Sequence, residues 1–391
     1  MKSWRDNVRK VEPYTPGEQP KEEGVIKLNT NENPYPPSEK IKEAMSEIKN
    51  LRKYPDPAAT KLVEAIASYH GFDKEEVFVG VGSDDVLAVA FMTFFNGKKP
   101  IFFPDITYSF YPVWAELFGI PYEKKVVNAA FEIQKEDYYA ENGGVVFPNP
   151  NAPTGAFLSL DVVEDIIKHN QNVVVIVDEA YIDFGGDTAK ELTRKYDNVL
   201  VVQTYSKSRS LAGLRIGYAI GNKELIKAMN DVKYSYNSYT MNEPSIVLGT
   251  AVLEDEEYFQ ETRNKIIDTR EWFQIEMRKI GFSFADSKAN FIFATHESVP
   301  AKEIFEVLAD DINCLYKPEI QEKLLGTDPA EYLVYPSYDG DYHIVPGSSR
   351  SSYDYILKNI AIYSPASWKC RQQERANKIS TSSATNTHYK Q

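Results

Sequence analysis

One loop of this 391-residue chain carries a lysine and an arginine that could act together on a phosphorylated aldehyde. Lys207 follows the apolar, β-branched run 199–202, which predicts a buried strand, and Arg215 follows in the same loop. A lysine amine can bond covalently to an aldehyde, and an arginine guanidinium can bind a phosphate through parallel hydrogen bonds. The run 218–220 predicts another strand, so both side chains lie at strand ends, where open α/β sheets bind ligands.

A carboxylate and a phenol follow another predicted strand. The run 173–177 is continuously apolar, Asp178 comes directly after it, and Tyr181 lies in the same turn. Pyridoxal phosphate requires a carboxylate opposite its pyridine nitrogen, and a phenol can donate a hydrogen bond to its 3′ oxygen. A single loop lysine is usually a solvated charge, and a single aspartate after a strand is usually a helix cap. In combination with Lys207 and Arg215, these residues indicate a pyridoxal phosphate site.

A glycine turn supplies a second group for the phosphate. The predicted strand 77–81 leads into Gly82, Ser83 and Asp84, where a helix is predicted to begin. The free N–H groups of a helix N-terminus bind anions, and a glycine lets the backbone approach the phosphate closely. Such junctions are common in α/β proteins, so this one indicates a phosphate site only in combination with Arg215.

Three further stretches accompany these features. They are KLNTNENPYPP at 27–37, YPD at 54–56 and NPNAPTG at 149–155. In this combination the chain resembles the fold-type I pyridoxal phosphate enzymes of the aspartate aminotransferase superfamily, and most of all the histidinol-phosphate aminotransferases, over about residues 1–300. The resemblance implies an α/β fold with a mostly parallel sheet in a large domain and a smaller α+β domain. Repeated strand–helix units favour such a sheet independently.

The resemblance implies roles for individual residues around the cofactor. Tyr108 stacks on the pyridine ring; Tyr111 and Phe110 are alternatives for that position by composition, and either could belong to the core instead. Asn151 contacts the 3′ oxygen, although the superfamily often has its asparagine one position later, where this chain has Ala152. The phosphate is bound by Gly82, Ser83, Asp84, Ser206 and Arg215.

The resemblance also implies a homodimer. Residues 1–30 form an arm that packs on the partner subunit, and the Tyr54 hydroxyl reaches the phosphate in the partner's site. On the residues alone, the arm is a surface extension, and Tyr54 packs in a turn before a proline. Asn33 either borders the substrate pocket or only forms a turn before Pro34.

The implied reaction is the transfer of an amino group between small molecules. Lys207 holds pyridoxal phosphate and moves a proton as general base and acid, and the implied substrates are L-histidinol phosphate and 2-oxoglutarate, in histidine biosynthesis. Three alternatives stay open. The chain could be an aromatic aminotransferase or an amino-acid phosphate decarboxylase on the same scaffold, a pyridoxal phosphate-binding protein without transaminase activity, or an α/β binding protein without a cofactor.

Four segments are expected along the chain. They are the arm (1–30), a large cofactor-binding domain (31–245), a small domain (246–330) and an atypical, partly disordered polar segment (331–391). From about Asp310 the sequence departs from the family, which has two arginines in this region, one of them for the substrate carboxylate. Lys317, Lys323 and Arg350 are candidates to replace it, but a lysine lacks the bidentate geometry of an arginine.

Composition excludes several other classes of protein. The net charge of -13 argues against a nucleic-acid-binding protein. Cys314 and Cys370 do not make a disulfide framework, which fits a reduced, cytoplasmic setting. No apolar run approaches the roughly 18 residues of a membrane span. No cluster of His, Cys, Asp or Glu has the spacing of metal ligands, so no metal is expected.

Overall fold

The computed structural model describes residues 4–16, 26–49, 51–301, 304, 314–315 and 333–336. The strands, in chain order, are β1 (Ile26–Lys27), β2 (Val77–Gly80), β3 (Ile101–Pro104), β4 (Tyr122–Lys125), β5 (Gly144–Pro148), β6 (Val175–Asp178), β7 (Val199–Thr204), β8 (Gly217–Gly221), β9 (Phe282–Phe284), β10 (Phe291–His296), β11 (Cys314–Leu315) and β12 (Leu333–Pro336). The α-helices are α1 (Glu39–Met45), α2 (Thr60–His70), α3 (Ser83–Phe94), α4 (Phe110–Phe118), α5 (Leu160–His169), α6 (Lys223–Tyr236), α7 (Glu243–Ala251) and α8 (Glu256–Lys279). No helix within these ranges has the length and apolar character needed to cross a bilayer.

A seven-stranded sheet in the order β2-β8-β7-β6-β5-β3-β4 forms the centre of the fold. The pairs from β4 through β3, β5 and β6 to β7 are all parallel, whereas β8 is antiparallel to both β7 and β2. The mostly parallel sheet expected from the sequence is therefore confirmed. One edge of this sheet carries the carboxyl ends of β2, β6 and β7 together with the amino end of β8. The glycine turn, Asp178, Lys207 and Arg215 all follow or precede these strand ends.

Both faces of the sheet are covered, which explains why its strands are apolar without alternation. One face packs against α3 and α4 through residues such as Phe91 and Trp114. The opposite face packs against α5 through Val163 and Ile166. Every residue of β6 and β7 is buried. The strand ends are thus held by a close-packed core on each side, which fixes the loops that leave them.

A second, smaller sheet lies beyond the long helices. Its order is β12-β10-β9, and both pairings are antiparallel. The helical region that precedes it is two helices, α7 and α8, because a short 3-10 turn at Val252–Glu254 ends the first. Strand β12 lies past residue 330, so this sheet extends into the segment expected to be atypical.

The arm lies against its own chain in this structure. Tyr14 stacks on Phe110 of α4 with ring centres 4.2 Å apart, and Arg9 donates to the carbonyl of Leu117. The end of the arm, β1, pairs in parallel with β11. The resemblance implied packing on a partner subunit, and the single chain shows an intramolecular alternative for residues 9 and 14.

Candidate active site

Lys207 lies in the loop after β7, at the edge of the sheet where the parallel strands end. The Thr204 hydroxyl accepts a hydrogen bond from the Ser206 amide (3.1 Å), so the loop turns across that edge. Lys207 Nζ donates to the backbone carbonyl of Thr30 (2.7 Å) and lies 5.5 Å from the centre of the Tyr181 ring. The amine is therefore half-buried beside one of the phenols predicted for the site.

Asp178 ends the neighbouring strand β6 and has only 4% of its surface exposed. Burial raises the pKa of its carboxyl from 3.8 to about 6, because the charged form loses its hydration. Two hydrogen bonds act in the opposite direction, from the Tyr111 hydroxyl (2.9 Å) and the Ala180 amide (3.2 Å). Such a carboxyl would be stabilised as an anion by a cationic partner.

The Arg215 guanidinium lies so close to the backbone of the glycine turn that position 82 must be a glycine. Gly82 caps α3 with φ of +86°, and a Cβ built on it would lie 2.5 Å from Nη2 of Arg215. Arg215 Nη2 also donates to Asp84 (3.1 Å), and its Nη1 to the Ser206 hydroxyl (3.4 Å). Since the first N–H groups of a helix have no acceptor within it, the amides at Ser83 and the guanidinium together form one site for an anion.

Two tyrosines connect this anion site to Asp178. Tyr108 donates its hydroxyl hydrogen to Asp84 (2.7 Å), and Tyr111 donates to Asp178 (2.9 Å). Their rings meet edge to face, with centres 5.8 Å apart. Burial is the main reason that the pKa of each phenol is raised well above its usual value, so both stay protonated as donors. The structure thus brings Asp84, Asp178 and both phenols into one connected group.

Asn151 does not present a free amide to this group. Its Nδ2 donates to the Ile106 carbonyl (2.9 Å) and to the Thr154 hydroxyl (3.0 Å), and its Oδ1 accepts from the Thr107 hydroxyl (3.2 Å). The side chain is 1% exposed. These contacts give Asn151 the role of joining two loops at the sheet edge, and its predicted contact with the 3′ oxygen stays a prediction.

Tyr54 lies apart from the other predicted residues. Its side chain is 83% exposed, and its ring packs against Tyr239 with centres 4.9 Å apart. Within one chain it therefore makes no part of the connected group, and its exposure leaves the hydroxyl available to a neighbouring molecule.

Known proteins similar to this chain identify its family. The model of the class I and II aminotransferases matches residues 23–323. A histidinol-phosphate aminotransferase of Clostridium botulinum is 52% identical over 312 residues, covering 79% of this chain and 88% of that protein. One of Lactococcus lactis is 50% identical over 308 residues, covering 78% and 86%. The chain belongs to the class I and II aminotransferases.

Solved structures of this family have the same fold. The histidinol-phosphate aminotransferase of Clostridium acetobutylicum superposes with a TM-score of 0.74 at 21% identity, covering 85% of this chain and 98% of that one. That of Sinorhizobium meliloti, solved with pyridoxal 5′-phosphate, superposes with a TM-score of 0.68 at 20% identity, covering 74% and 82%. The fold-type I architecture expected from the sequence is confirmed.

Aminotransferases of this family use pyridoxal phosphate, and the residues of this chain fit it. Because Gly82 has no Cβ, there is space between its backbone and the Arg215 guanidinium that any other residue would fill. An anionic group such as a phosphate can therefore approach this backbone to van der Waals distance. The buried Asp178 carboxyl, with its raised pKa, gains from a cationic pyridinium nitrogen. The half-buried Lys207 amine suits an aldehyde. Each of the three functional groups of the cofactor therefore has a partner of matching chemistry.

The family model does not match the C-terminal part of the chain. The family model stops at residue 323, beyond residue 300 where the resemblance was expected to fade, and leaves 324–391 unmatched. The candidate carboxylate ligands Lys317, Lys323 and Arg350 lie outside the described residues.

Two features of the aminotransferase site were missed by sequence reasoning. The sequence offered Tyr111 as a stacking ring or as a core residue; it is fully buried in the core, but the donation of its hydroxyl hydrogen to Asp178 was not predicted. The contact of Lys207 with Thr30 was not expected, because a backbone carbonyl has no signature in a sequence. The stretch 27–37, which contains Thr30, indicated that this segment belongs to the site, but nothing in it indicated that the Thr30 carbonyl oxygen would contact Lys207.

Proposed function

We propose that this aminotransferase transfers the amino group of L-histidinol phosphate to 2-oxoglutarate, with pyridoxal phosphate bound at Lys207. The observation that carries the proposal is the geometry of three groups at one sheet edge: the half-buried Lys207 amine, the buried Asp178 carboxyl and the Gly82–Arg215 anion site. The choice of substrate is supported by the curated relatives, which are about half identical to this chain and named for that amino donor.

In this proposal Lys207 is the catalytic residue. When bound, pyridoxal phosphate supplies an electron-withdrawing ring that stabilises negative charge developing at the substrate α-carbon. The Lys207 amine accepts the α-proton as that C–H bond breaks, and later releases the same proton, so it acts as base and then as acid. Its hydrogen bond to Thr30 holds the amine next to the site between these events.

The other predicted residues bind and orient the cofactor. Gly82, Ser83, Asp84, Ser206 and Arg215 form the phosphate site, where the helix N-terminus and one guanidinium offset the negative charge. Asp178 would keep the pyridine nitrogen protonated. Tyr181 would donate to the 3′ oxygen, and Tyr108 would stack on the ring.

We further propose that the protein is a homodimer in which Tyr54 completes the partner's phosphate site. The support is the 83% exposure of Tyr54, whose ring packs only against the also exposed ring of Tyr239 among the contacts described. A residue that acts across an interface is exposed in the isolated chain. The biosynthetic reaction and the two scattered cysteines also suit a cytoplasmic location.

The substrate carboxylate requires a cationic ligand of its own. We propose that one of Lys317, Lys323 and Arg350 binds it, in place of the arginine that the family has in this region. A pyridoxal phosphate-binding protein without transaminase activity is the second candidate, favoured by the end of the family match at residue 323, which leaves 324–391 unmatched.

One series of spectra tests both candidates. Purified protein is mixed with pyridoxal phosphate, and glutamate or L-histidinol phosphate is then added in separate samples. Conversion of the cofactor to its amine form by both compounds supports the proposal. Binding without conversion by glutamate would support the second candidate. Lys207→Ala should abolish both the lysine-bound absorbance and turnover, and turnover that survives this change would end the assignment.

A further inference from the structure

A short segment near the N-terminus crosses the lysine loop, and we name residues Thr30 to Asn33 the strap. The Thr30 carbonyl accepts the hydrogen bond of Lys207 Nζ at 2.7 Å. The strap is separated from the lysine by more than 170 residues of chain, so only specific contacts can hold it there. The position of this acceptor relative to the amine therefore depends on how the strap is attached to the loop.

Asn33 provides that attachment. Its Nδ2 donates to the backbone carbonyls of both Lys207 and Ser208, each at 3.0 Å. Its Oδ1 accepts from the Tyr35 amide at 2.9 Å, which holds the side chain in one orientation. One amide thus joins the strap to the backbone of the lysine itself.

The other side of the strap is attached to Tyr181 and to the small sheet. Asn31 has φ of +53°, a conformation that asparagine tolerates better than most residues, and its Nδ2 donates to the Tyr181 hydroxyl at 3.2 Å. Asn290, which is 1% exposed and directly precedes β10, donates to the Asn31 carbonyl at 3.1 Å. The strap therefore connects both proton-bearing side chains, Lys207 and Tyr181, to elements that do not belong to the lysine loop.

We propose that Asn33 is a positioning residue for the Lys207 amine, acting by holding the lysine backbone and the Thr30 carbonyl at a fixed separation. The inference rests on the proposed function, since it concerns the amine that bonds to the cofactor. An amine that must reach an aldehyde carbon tolerates little displacement, because a shift of about 1 Å in a reacting group can cost on the order of 100-fold in rate. A purely structural Asn33 would instead stabilise the fold without a specific effect on the amine.

Asn33→Asp separates these two roles. The aspartate keeps the shape of the side chain and an oxygen for the Tyr35 amide, but it places a second oxygen against the carbonyls of Lys207 and Ser208. Asn33→Ala removes the donor without adding charge, and serves if the aspartate variant does not fold. Asn128→Asp is the matched control, because Asn128 makes the same turn, with its Oδ1 accepting from the amide of Ala130 at 2.8 Å.

The test uses cofactor-free protein and two ligands. Pyridoxal phosphate reacts with Lys207, and the rate of that reaction is followed by absorbance. 4-Deoxypyridoxine 5′-phosphate has the same ring and phosphate but no aldehyde, and its dissociation constant is measured by fluorescence or calorimetry. We expect Asn33→Asp to slow the reaction with pyridoxal phosphate by about ten-fold or more and to change the affinity for the analogue by less than about three-fold. Asn33→Ala should show a smaller effect in the same direction, and Asn128→Asp none.

Each other result overturns the inference. Equal losses in reaction rate and analogue affinity would mean general damage to the site, and an unchanged rate in both Asn33 variants would mean that the amine does not depend on the strap. Neither of these results affects the proposed function, provided that the unmodified protein reacts with pyridoxal phosphate. An unmodified protein that binds neither ligand would instead overturn the proposed function and the role of Asn33 together.

Discussion

Tyr111 donates its hydroxyl hydrogen to Asp178 across 2.9 Å, and both side chains are buried. This bond favours the carboxylate, whereas burial favours the protonated acid, and burial has the larger effect because the pKa is raised to about 6. Near neutral pH the isolated chain thus carries a buried charge that is only partly compensated. A cationic ligand would reduce the unfavourable free energy of the buried carboxylate. Asp178 is therefore suited to binding the cofactor but destabilises the cofactor-free protein.

Asp178→Asn should therefore stabilise the cofactor-free protein while it impairs catalysis. The folded-state pKa of about 6 exceeds the usual 3.8. Stability contributed by this group is then fully present below about pH 4 and is lost as pH rises through 6. The asparagine oxygen can accept from the Ala180 amide while its NH2 group faces the Tyr111 hydroxyl, which can rotate to accept a hydrogen bond. Because asparagine cannot ionise, the variant should gain up to about 3 kcal/mol at pH 8 and about nothing at pH 4. Urea unfolding of both proteins at the two pH values measures the difference.

Glu179 is the control for this prediction. Burial raises the pKa of its carboxyl to about 7, but its oxygens accept from Thr188, Ala189 and Gln203. Glu179→Gln would turn an NH2 group towards the Ala189 amide or the Gln203 NH2 group, which cannot accept a hydrogen bond, so it should destabilise the protein at pH 8. A loss of stability in Asp178→Asn would contradict the dominant effect that burial has on the Asp178 carboxyl, whereas a gain in Glu179→Gln would show that burial outweighs the hydrogen bonds of Glu179 as well.

Gly82→Ala should weaken cofactor binding. The alanine would have to adopt φ of +86°, and its Cβ would lie 2.5 Å from Nη2 of Arg215. The guanidinium or the turn must move, and the phosphate loses a ligand, so we expect an increase of about ten-fold or more in the dissociation constant for pyridoxal phosphate. Gly97→Ala is the matched control, since a Cβ there meets no atom within 4 Å. Equal affinities of the two variants would exclude a close approach at Gly82.

Features that depend only on neighbouring residues in the chain could be predicted from the sequence. Lys207 and Asp178 each follow an apolar run, and the pattern of a buried strand followed by a polar residue is local. The helix predicted to begin at Gly82, Ser83 and Asp84 begins at Ser83 in the structure, because the glycine turn directly precedes the apolar pattern of the helix.

Features that depend on distant residues could not be predicted. The bond between Tyr111 and Asp178 joins positions 67 apart, and a tyrosine among several aromatic residues does not reveal which acceptor it will meet. The antiparallel direction of β8 follows from the short return of the lysine loop, which the apolar run alone does not encode. The 3-10 turn at Val252–Glu254, which separates α7 from α8, has no signature in the sequence because its residues are ordinary helix formers.

Arg270 should be essential for joining α8 to the rest of the protein. This arginine is 1% exposed, and its Nη1 donates to the carbonyls of Phe184 (2.6 Å) and Ala289 (3.0 Å). Arg270→Met would keep much of the volume but leave both buried carbonyls without this donor, for which we expect a loss of about 3–5 kcal/mol. Urea unfolding provides the measurement.

Arg278 on the same helix is the control for Arg270. It pairs with Asp286 at 2.7 Å, but both side chains are largely exposed, so Arg278→Met should cost no more than about 1 kcal/mol. Similar losses for the two variants would show that the contacts of Arg270 contribute no more than a surface ion pair.

Mixing two inactive variants can test whether Tyr54 acts across a dimer interface. Lys207→Ala removes the proposed catalytic amine, and Tyr54→Ala removes the exposed side chain that we assign to the partner's site. In a mixed dimer one site would lack both side chains and the other would have both, because each site takes its lysine from one subunit and its tyrosine from the other. Co-refolding equal amounts should therefore restore about a quarter of the unmodified activity, since half of the dimers are mixed and half of their sites are complete. If Tyr54 served its own chain, each mixed dimer would contain two defective sites and the mixture would stay as inactive as its components. Sedimentation of the mixture confirms that dimers have formed, so a lack of recovery in dimeric protein would count against the shared site rather than against assembly.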